Sequence, residues 1–466
     1  MDRSTADRST ADTSSVDSST ADTSAADAST APPPRRGIDF SQELYRKGWY
    51  HSFDLPDGTR IEGIIPLDAL RWRWNRYPIP AVLKGKRVLD TGAWDGWFSF
   101  EAERRGAEVT AIDCVEVPNF REIHRKLASC VDYRVLDFYE LPDAQLGTFD
   151  YVLFLGILYH LKHPLLALEM VCALTTDTAI VESFVTDADS WRQHTGDVPA
   201  MEFYETDELG NQLDNWIGPS VGCLLAMCRA AGFARVELLY AAGFQGGAVC
   251  YRKWEPVSHL SQDPPELVAV NNTRTNGINF STKKEHYISC WFRTSQEKVT
   301  REQLRFEVGG FGVPALFVRH EPDGTWLGNF RLPPGLHTGW NDVRLRFADS
   351  DFGRTLRVAV DMPVQPGHVV LVGACDGNTF TVNTVTVGER GWISSWVQGL
   401  PENGDRDNIR VLLDHTRLAI EFVGDQDSDG NRQVNAVVPG DTAKGEHLLR
   451  IECAGVSSES LEVKVV

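Results

Sequence analysis

The chain has 466 residues, 42% of them hydrophobic and 24% charged, which is typical of soluble globular protein and excludes disorder of the whole chain. Acidic residues outnumber basic residues by 65 to 46, and the formal net charge of −19 argues against broad nonspecific binding to nucleic acid or to anionic lipid. The 9 cysteines are scattered and form no C-x-x-C pair, and no stretch reaches the ~18 apolar residues of a membrane span, so we expect a cytoplasmic protein without disulfides and without a membrane partner.

Residues 1–36 carry a five-residue repeat. Aspartate recurs at positions 2, 7, 12, 17, 22 and 27, and a serine follows each one two positions later. Small polar residues cannot bury enough surface to offset the entropy of ordering the chain. We therefore predict a disordered tail that ends in a proline and arginine linker at 32–36.

Between residues 37 and 257, buried β-branched runs alternate with helical stretches, which predicts a doubly wound, Rossmann-like α/β domain. Helices are predicted over 95–105, 119–129, 164–174 and 219–231, with Asp95 and Pro164 at helix starts and Pro219 in a first turn. The predicted parallel strands are 86–92, 107–113, 132–137, 149–156 and 178–184, and 235–241 with 248–254 forms a closing pair.

The pattern changes near residues 258–267, beyond which short alternating strands and turn signals replace the helices. About 200 residues of this kind predict two β-sandwiches, which we place at 265–388 and 389–466 with a boundary near Gly388. The stretch 432–466 resembles the immunoglobulin-like modules of bacterial surface proteins. That resemblance implies binding or spacing rather than catalysis.

The most informative motif is VLDTGAWDG at 88–96, a hydrophobic strand followed by a glycine-containing turn and a helix. A nucleotide-like ligand lies over such a first strand–helix turn in doubly wound sheets. Gly92 and Gly96 let the backbone approach the ligand closely around Ala93, and Asp90 places a carboxylate where it can meet an ammonium group. The spacing differs from the G-x-G-x-x-G of dinucleotide enzymes.

Three further pieces end at the same predicted edge. Asp113 closes the second strand, where a carboxylate can accept hydrogen bonds from both hydroxyls of a ribose. Asp137 and Phe138 close the third strand, where they can bond an adenine amino group and pack on its ring. The fourth predicted strand, 149–156, contains Leu155 and runs into the loop that holds Tyr159.

These four pieces, in this order, resemble the class I S-adenosylmethionine-dependent methyltransferases, whose fold has the same doubly wound sheet. The blocks at 48–58, 83–113, 154–169 and 215–233 narrow the resemblance to the bacterial family around the tRNA wobble-uridine carboxymethyltransferase, over roughly residues 45–255. Its specific parts are the LYH-x-x-x-P-L and NW-x-x-P blocks.

The resemblance implies S-adenosylmethionine as cofactor and donor, held by Asp90, Gly92, Ala93, Gly96, Asp113, Asp137, Phe138, Leu155 and Tyr159. The tRNA enzyme reads the extra carboxylate of a carboxylated donor with a lysine upstream of the core, a tyrosine of the LYH block and a C-terminal arginine. Here Tyr159 is present, but the segment 71–80 has arginines and no lysine, and the NW-x-x-P block has no convincing arginine after it. Ordinary S-adenosylmethionine is therefore the expected donor.

Acceptor chemistry needs a general base if the methyl group goes to a hydroxyl. His160 is the first candidate, because it follows Tyr159 at the strand edge, and His163, Glu182 and His194 are the others. A helix-start histidine bonded to backbone is an equally good interpretation of His160. Asn215 and Trp216 are expected to line the acceptor pocket, or to form a structural turn, and no metal site is expected.

Three functions are open from the sequence. The favoured hypothesis is a methyltransferase that acts on a small-molecule or saccharide acceptor, most simply by O-methylation, with the β modules presenting the acceptor. The alternatives are a tRNA wobble-uridine modifying enzyme, which would need a local positive groove beside Tyr159, and a non-catalytic scaffold. The segment 41–257 holds 31 acidic and 21 basic residues, which favours a neutral or small acceptor over tRNA. The sequence does not specify the oligomeric state.

Overall fold

The computed structural model describes residues 48–186, 198–388 and 391–466. Within these ranges the chain forms an α/β unit followed by two β-sheet modules. The tail predicted at 1–36 and the candidate base His194 lie outside the described residues. No helix in the described ranges has the length and apolarity needed to cross a membrane.

The α/β unit is built on a seven-stranded sheet among the described residues. Its strand order is β10-β11-β7-β6-β3-β4-β5, in which β3 to β7 run parallel and β11 lies antiparallel between β7 and β10. This confirms the predicted doubly wound sheet and its closing strand pair. The strands of the unit are β1 (Phe53–Asp54), β2 (Arg60–Ile61), β3 (Arg87–Thr91), β4 (Glu108–Asp113), β5 (Asp132–Val135), β6 (Phe149–Leu155), β7 (Thr175–Phe184), β8 (Met201–Phe203), β9 (Ile217–Pro219), β10 (Arg235–Ala242) and β11 (Gln245–Tyr251).

Helices cover both faces of this sheet. Alternate residues of each strand enter opposite cores, as the pleat requires: Val88 and Leu153 join one core, whereas Leu89 and Val152 join the other. The first core packs against α1 to α3 and the second against α4 and α5. The helices are α1 (Leu67–Trp74), α2 (Trp97–Arg104), α3 (Pro118–Lys126), α4 (Pro164–Leu174) and α5 (Val221–Ala230).

Two helices begin later than the sequence predicts. Helix α2 starts at Trp97, because Gly96 is its N-cap in a left-handed conformation and the Asp95 side chain bonds elsewhere. Helix α5 starts at Val221, where Ser220 caps it by accepting a hydrogen bond from the Cys223 N–H, while Pro219 ends β9. Pro164 begins α4 as expected.

The first β module packs a four-stranded sheet, β12-β14-β18-β17, on a five-stranded sheet, β13-β20-β19-β15-β16, within the described residues. Alternate apolar residues of both sheets meet in one core, which is the usual sandwich arrangement. The strands are β12 (Glu266–Asn272), β13 (Asn279–Phe280), β14 (Tyr287–Arg293), β15 (Leu304–Val308), β16 (Phe311–Val313), β17 (Ala315–His320), β18 (Trp326–Arg331), β19 (Gly339–Phe347) and β20 (Leu356–Val360).

The second β module surrounds its own core, and its long strand β25 pairs with β26 through one part and with β24 through another. Strands β21 and β22 precede the boundary expected near Gly388, but both bond to strands of this second module. We therefore propose a boundary between residues 361 and 369. The strands are β21 (Val370–Asp376), β22 (Thr384–Val385), β23 (Trp392–Gln398), β24 (Ile409–Leu413), β25 (Thr416–Gln426), β26 (Arg432–Val437), β27 (Gly445–Cys453), β28 (Val456–Ser457) and β29 (Leu461–Val465).

Candidate active site

The candidate site lies where β3, β4, β6 and β7 end, which we call the carboxyl edge of the sheet. Asp90 lies in β3, is 3% exposed, and accepts a hydrogen bond of 2.6 Å from the Ser99 hydroxyl of α2. Burial raises the pKa of Asp90 to about 7, and the nearby Asp113 carboxylate adds to the rise. A buried carboxylate in this state gains stability from a cationic partner, so an ammonium group fits this position.

Asp113 ends β4, beside the turn that follows β3. Its Oδ2 accepts a hydrogen bond of 3.0 Å from the Trp94 N–H, and burial raises its pKa while the N–H groups of Trp94 and Val115 oppose the rise. The strand pairing of β3 and β4 therefore brings the two predicted carboxylates to one turn. Their oxygens can accept hydrogen bonds from ammonium and hydroxyl groups, which a nucleoside that carries an amino-acid group would present.

Both glycines of the turn between β3 and α2 have a positive φ and no room for a Cβ. Gly92 has φ +65°, and a Cβ there would overlap the Ile157 side chain, which belongs to the loop after β6. Gly96 has φ +84°, and a Cβ there would overlap the Phe120 ring. Ala93 is buried between them, and its N–H donates to the Ile112 carbonyl at 3.1 Å. The turn thus lies close to both neighbouring strand ends.

The residues predicted to hold an adenine ring have partners within the protein. Asp137 Oδ1 accepts a hydrogen bond of 2.8 Å from the Tyr139 N–H and so caps a short 3-10 helix at Phe138–Glu140. Phe138 is buried and its ring lies edge-on to Phe154, 5.3 Å between centroids. Leu155 is half-buried at the end of β6. Their roles toward a ligand stay predictions.

Tyr159 and His160 form a second short 3-10 helix with Leu158, directly after β6. The His160 Nδ1 lies 3.3 Å from the Asp214 Oδ2, and this contact lowers the pKa of Asp214. Burial, together with the nearby Tyr50, raises the pKa of the Tyr159 phenol. His160 is thus a half-buried imidazole with a carboxylate close to its Nδ1, and such a pair suits a general base.

The predicted acceptor residues Asn215 and Trp216 lie beside this helix. The Trp216 N–H donates to the Tyr159 carbonyl at 2.8 Å, and Lys162 Nζ lies 4.3 Å from the centre of the Trp216 ring. Asn215 is buried and donates to the Leu209 carbonyl at 2.7 Å. That bond is what a structural turn requires, so a role of Asn215 toward an acceptor stays a prediction.

Glu182 occupies the carboxyl end of β7 but is engaged within the protein. It forms an ion pair with Arg73 of α1 and accepts a hydrogen bond of 3.0 Å from the Tyr77 hydroxyl. Its side chain is 4% exposed and that of Arg73 is 16% exposed. Burial raises the pKa of Tyr77, and Glu182 adds to the rise. Holding Arg73 accounts for this geometry better than proton abstraction by Glu182 does.

Sequence reasoning missed the contribution of residues 48–77. Tyr50 and His51 donate their backbone N–H groups to Asp95 Oδ2 at 2.6 and 2.9 Å. The His51 ring packs edge-on against Phe98, and the Arg73 guanidinium lies 4.9 Å from the centre of the same ring. The arginine-rich stretch 71–76 was visible in the sequence, but nothing local showed which arginine enters the site.

Comparisons with known proteins identify similar sequences over part of the chain. The curated relatives include tRNA U34 carboxymethyltransferases of Pseudomonas fluorescens SBW25, 30% identical over 41% of this chain and 57% of that protein, and of Pseudomonas aeruginosa PAO1, 32% identical over 35% of this chain and 49% of that protein. The chain spans about half the length of the curated relatives that it matches.

Solved structures give distant matches. The N-terminal domain of EvdMO1, crystallised with SAH and D-fucose, is 22% identical with a TM-score of 0.34, covering 46% of this chain and 99% of that one. The 1,6-didemethyltoxoflavin-N1-methyltransferase of Burkholderia thailandensis, with bound S-adenosylhomocysteine, is 20% identical with a TM-score of 0.29, covering 40% of this chain and 82% of that one.

A family model described as a methyltransferase domain matches residues 70–236. This range contains β3 to β9 and all the predicted donor residues, from Asp90 to Tyr159. The motif residues and the parallel strands β3 to β7 of the sheet both lie in the range that this family model matches. Residues 70–236 are therefore similar to methyltransferase domains.

Proposed function

We propose that the chain is an S-adenosylmethionine-dependent methyltransferase whose acceptor is a small molecule or a saccharide, with O-methylation as the simplest reaction. The observation that carries the proposal is the pair of buried carboxylates, Asp90 and Asp113, on either side of the Gly92–Gly96 turn. Asp90 would hold the ammonium group of the donor and Asp113 the ribose hydroxyls.

The donor supplies an activated methyl group on its sulfonium, so the protein's main task is alignment. The turn after β3 fixes the donor, and the loop after β6 places His160 at the same edge. Asp214 Oδ2 lies 3.3 Å from the His160 Nδ1, and pairing of these two groups leaves Nε2 to take the proton of an acceptor hydroxyl. This step requires only that the hydroxyl oxygen lies in line with the methyl group.

Ordinary S-adenosylmethionine is the donor in this proposal. A carboxylated donor would bring a second carboxylate near its methyl position, and Arg73 is the arginine that reaches this edge from α1. Arg73 is already paired with the buried Glu182, so the two charges offset each other. Arg71 pairs with Asp54 at 3.2 Å and is 54% exposed, and Arg76 lies 3.6 Å over the Trp72 ring.

Modification of the tRNA wobble uridine is the second candidate, because the curated relatives that match at about 30% identity bear that name. The acidic balance of residues 41–257 argues against it, since binding a polyanion is driven by cations that contact phosphates. Lys162 beside Trp216 is a cation at the site. We rank a small acceptor above tRNA for the charge balance.

The test incubates the full chain with methyl-labelled S-adenosylmethionine and two separate acceptor pools. One pool holds monosaccharides, methyl glycosides and nucleotide sugars, and the other holds unmodified tRNA. Label in the first pool, lost in the Asp113→Ala variant, supports the proposal. Label in tRNA alone would replace the small acceptor with the second candidate, and label in neither pool would contradict the acceptor classes proposed.

A further inference from the structure

Residues 48–65 form a segment, which we call the strap, that lies N-terminal to the matched methyltransferase range. It folds back on itself: the N–H groups of Ile64 and Ile65 donate to the Trp49 and Tyr50 carbonyls at 3.0 and 2.8 Å. The Ser52 hydroxyl donates to the Ile65 carbonyl at 2.8 Å and accepts from the Gly63 N–H at 3.0 Å. The strap therefore has a fixed shape of its own.

Asp95 fastens the strap to the donor turn. Its carboxylate is fully buried, and Oδ2 accepts the Tyr50 and His51 N–H groups while Oδ1 accepts from the Asn119 amide at 3.1 Å. The same amide donates to the Gly48 carbonyl at 2.7 Å. Asp95 precedes the N-cap Gly96, and its carboxylate binds a segment 44 residues away rather than the helix that follows, which calls for a reason.

The reason lies in where this attachment places Tyr50. Its backbone is held at the turn after β3 by Asp95, and its ring lies edge-on to the His51 ring, 5.0 Å between centroids. The His51 ring packs against Phe98, over which the Arg73 guanidinium lies at 4.9 Å, and Arg73 pairs with Glu182 at the end of β7. The strap therefore lies at the carboxyl edge of the sheet, beside the first strand–helix turn, over which a nucleotide-like ligand lies in doubly wound sheets.

We propose that the strap roofs the reactive end of the bound donor, with Tyr50 as the covering side chain and Asp95 as the positioning residue that holds it there. This inference rests on donor binding as proposed above. The consequence of this roof is kinetic, because it slows dissociation of the nucleoside from the site. Loss of the Asp95 hydrogen bonds should therefore raise the dissociation rate constant and leave the structure of the sheet unchanged.

The test uses S-adenosylhomocysteine as the probe and the full chain as the protein. We expect Tyr50→Ala and Asp95→Ala to raise its dissociation rate constant about tenfold, measured by stopped-flow competition, as loss of a covering contact or of its support would do. Asp68→Asn on α1, whose side chain is 96% exposed, is the control and should leave the rate unchanged. The same rate in both strap variants as in the native chain overturns the roof.

Hydrogen exchange gives a second readout that does not depend on turnover. In Asp95→Asn, peptides covering residues 49–52 should exchange faster while peptides of β3 and β6 keep their native rates. The double variant Asp95→Asn with Asn119→Asp restores a donor–acceptor pair and should recover part of the protection. Unchanged exchange in Asp95→Asn overturns the attachment. A native chain that does not bind S-adenosylhomocysteine would instead refute the proposed function.

Discussion

At the scale of single residues, the protonation of Asp90 makes the clearest prediction. Its folded-state pKa of about 7 lies above the ordinary value of 3.8, so the folded protein holds this proton more tightly than the unfolded chain. The contribution of Asp90 to the free energy of unfolding therefore falls as pH rises from about 4 through 7. Donor binding runs in the opposite direction, because the ammonium group needs the ionised carboxylate.

We accordingly expect Asp90→Asn to raise the thermal midpoint of the ligand-free protein at pH 8 while weakening S-adenosylhomocysteine binding at the same pH. The amide oxygen can still accept the Ser99 hydrogen bond, so packing is kept. Differential scanning fluorimetry and calorimetric titration at pH 6 and pH 8 check both signs. A variant that is less stable at pH 8 and binds as tightly as the native chain would contradict the assignment.

Asp113 makes a separate prediction. Asp113→Ala should weaken S-adenosylhomocysteine binding by ~1–3 kcal/mol, because the ribose hydroxyls lose their acceptor in a buried position. The Trp94 N–H also loses its partner, so the turn should loosen. Calorimetric titration measures the change, with Asp132→Asn on exposed β5 as a control. An unchanged dissociation constant would assign the ribose to another acid.

At the scale of elements, the turn after β3 depends on crowding as well as on backbone conformation. Gly92 and Gly85 both have positive φ, +65° and +74°, but a Cβ at Gly85 would meet nothing within 4 Å, whereas one at Gly92 overlaps Ile157. We expect Gly85→Ala to cost only the left-handed penalty of about 1–2 kcal/mol and Gly92→Ala to cost more and to impair donor binding. Equal losses in denaturant unfolding would contradict this reason for Gly92.

The strands and the two carboxylates near their ends could be predicted from the sequence, because local pattern and parallel topology determine them. Buried β-branched runs gave the strands, and parallel strands must end at one edge, which brings Asp90 and Asp113 together. Pairings across long separations were not predictable: Arg73 meets Glu182 across 109 residues, and Asp95 reads like a helix start until the strap is seen.

At the scale of the whole molecule, the first β module docks on the α/β unit through Arg252. This side chain is fully buried, its guanidinium lies 3.8 Å over the Phe311 ring, and it donates to the Pro334 carbonyl at 2.5 Å and to the Cys172 sulfur at 2.8 Å. Trp254 donates to the Phe306 carbonyl at 2.9 Å beside it. The two units therefore share a packed interface.

The docking lies at the edge where β7 begins, since Arg252 donates its N–H to the Asp177 carbonyl. That is the edge opposite the donor turn, so this interface does not place the first β module over the candidate site. The hypothesis that the β modules present the acceptor gains no support from it. This interface joins the first β module to the α/β unit. At the carboxyl edge, the strap contacts the turn after β3.

We expect Arg252→Met to lower the free energy of unfolding by about 1–3 kcal/mol, because buried carbonyls lose their donor. Arg229→Met, at an exposed position of α5, is the matched control and should change stability little. Because the interface is buried, the α/β unit and first β module should unfold in one transition in the native chain. Two separate calorimetric transitions for these units would contradict a shared interface.

The central claim is that the carboxyl edge of this sheet binds the nucleoside donor between Asp90 and Asp113. Calorimetric titration of S-adenosylhomocysteine into the full chain tests it most directly. We expect saturable binding to one site per chain, weakened by Asp113→Ala and kept in Asp132→Asn. Absence of saturable binding, or equal binding in both variants, would contradict it.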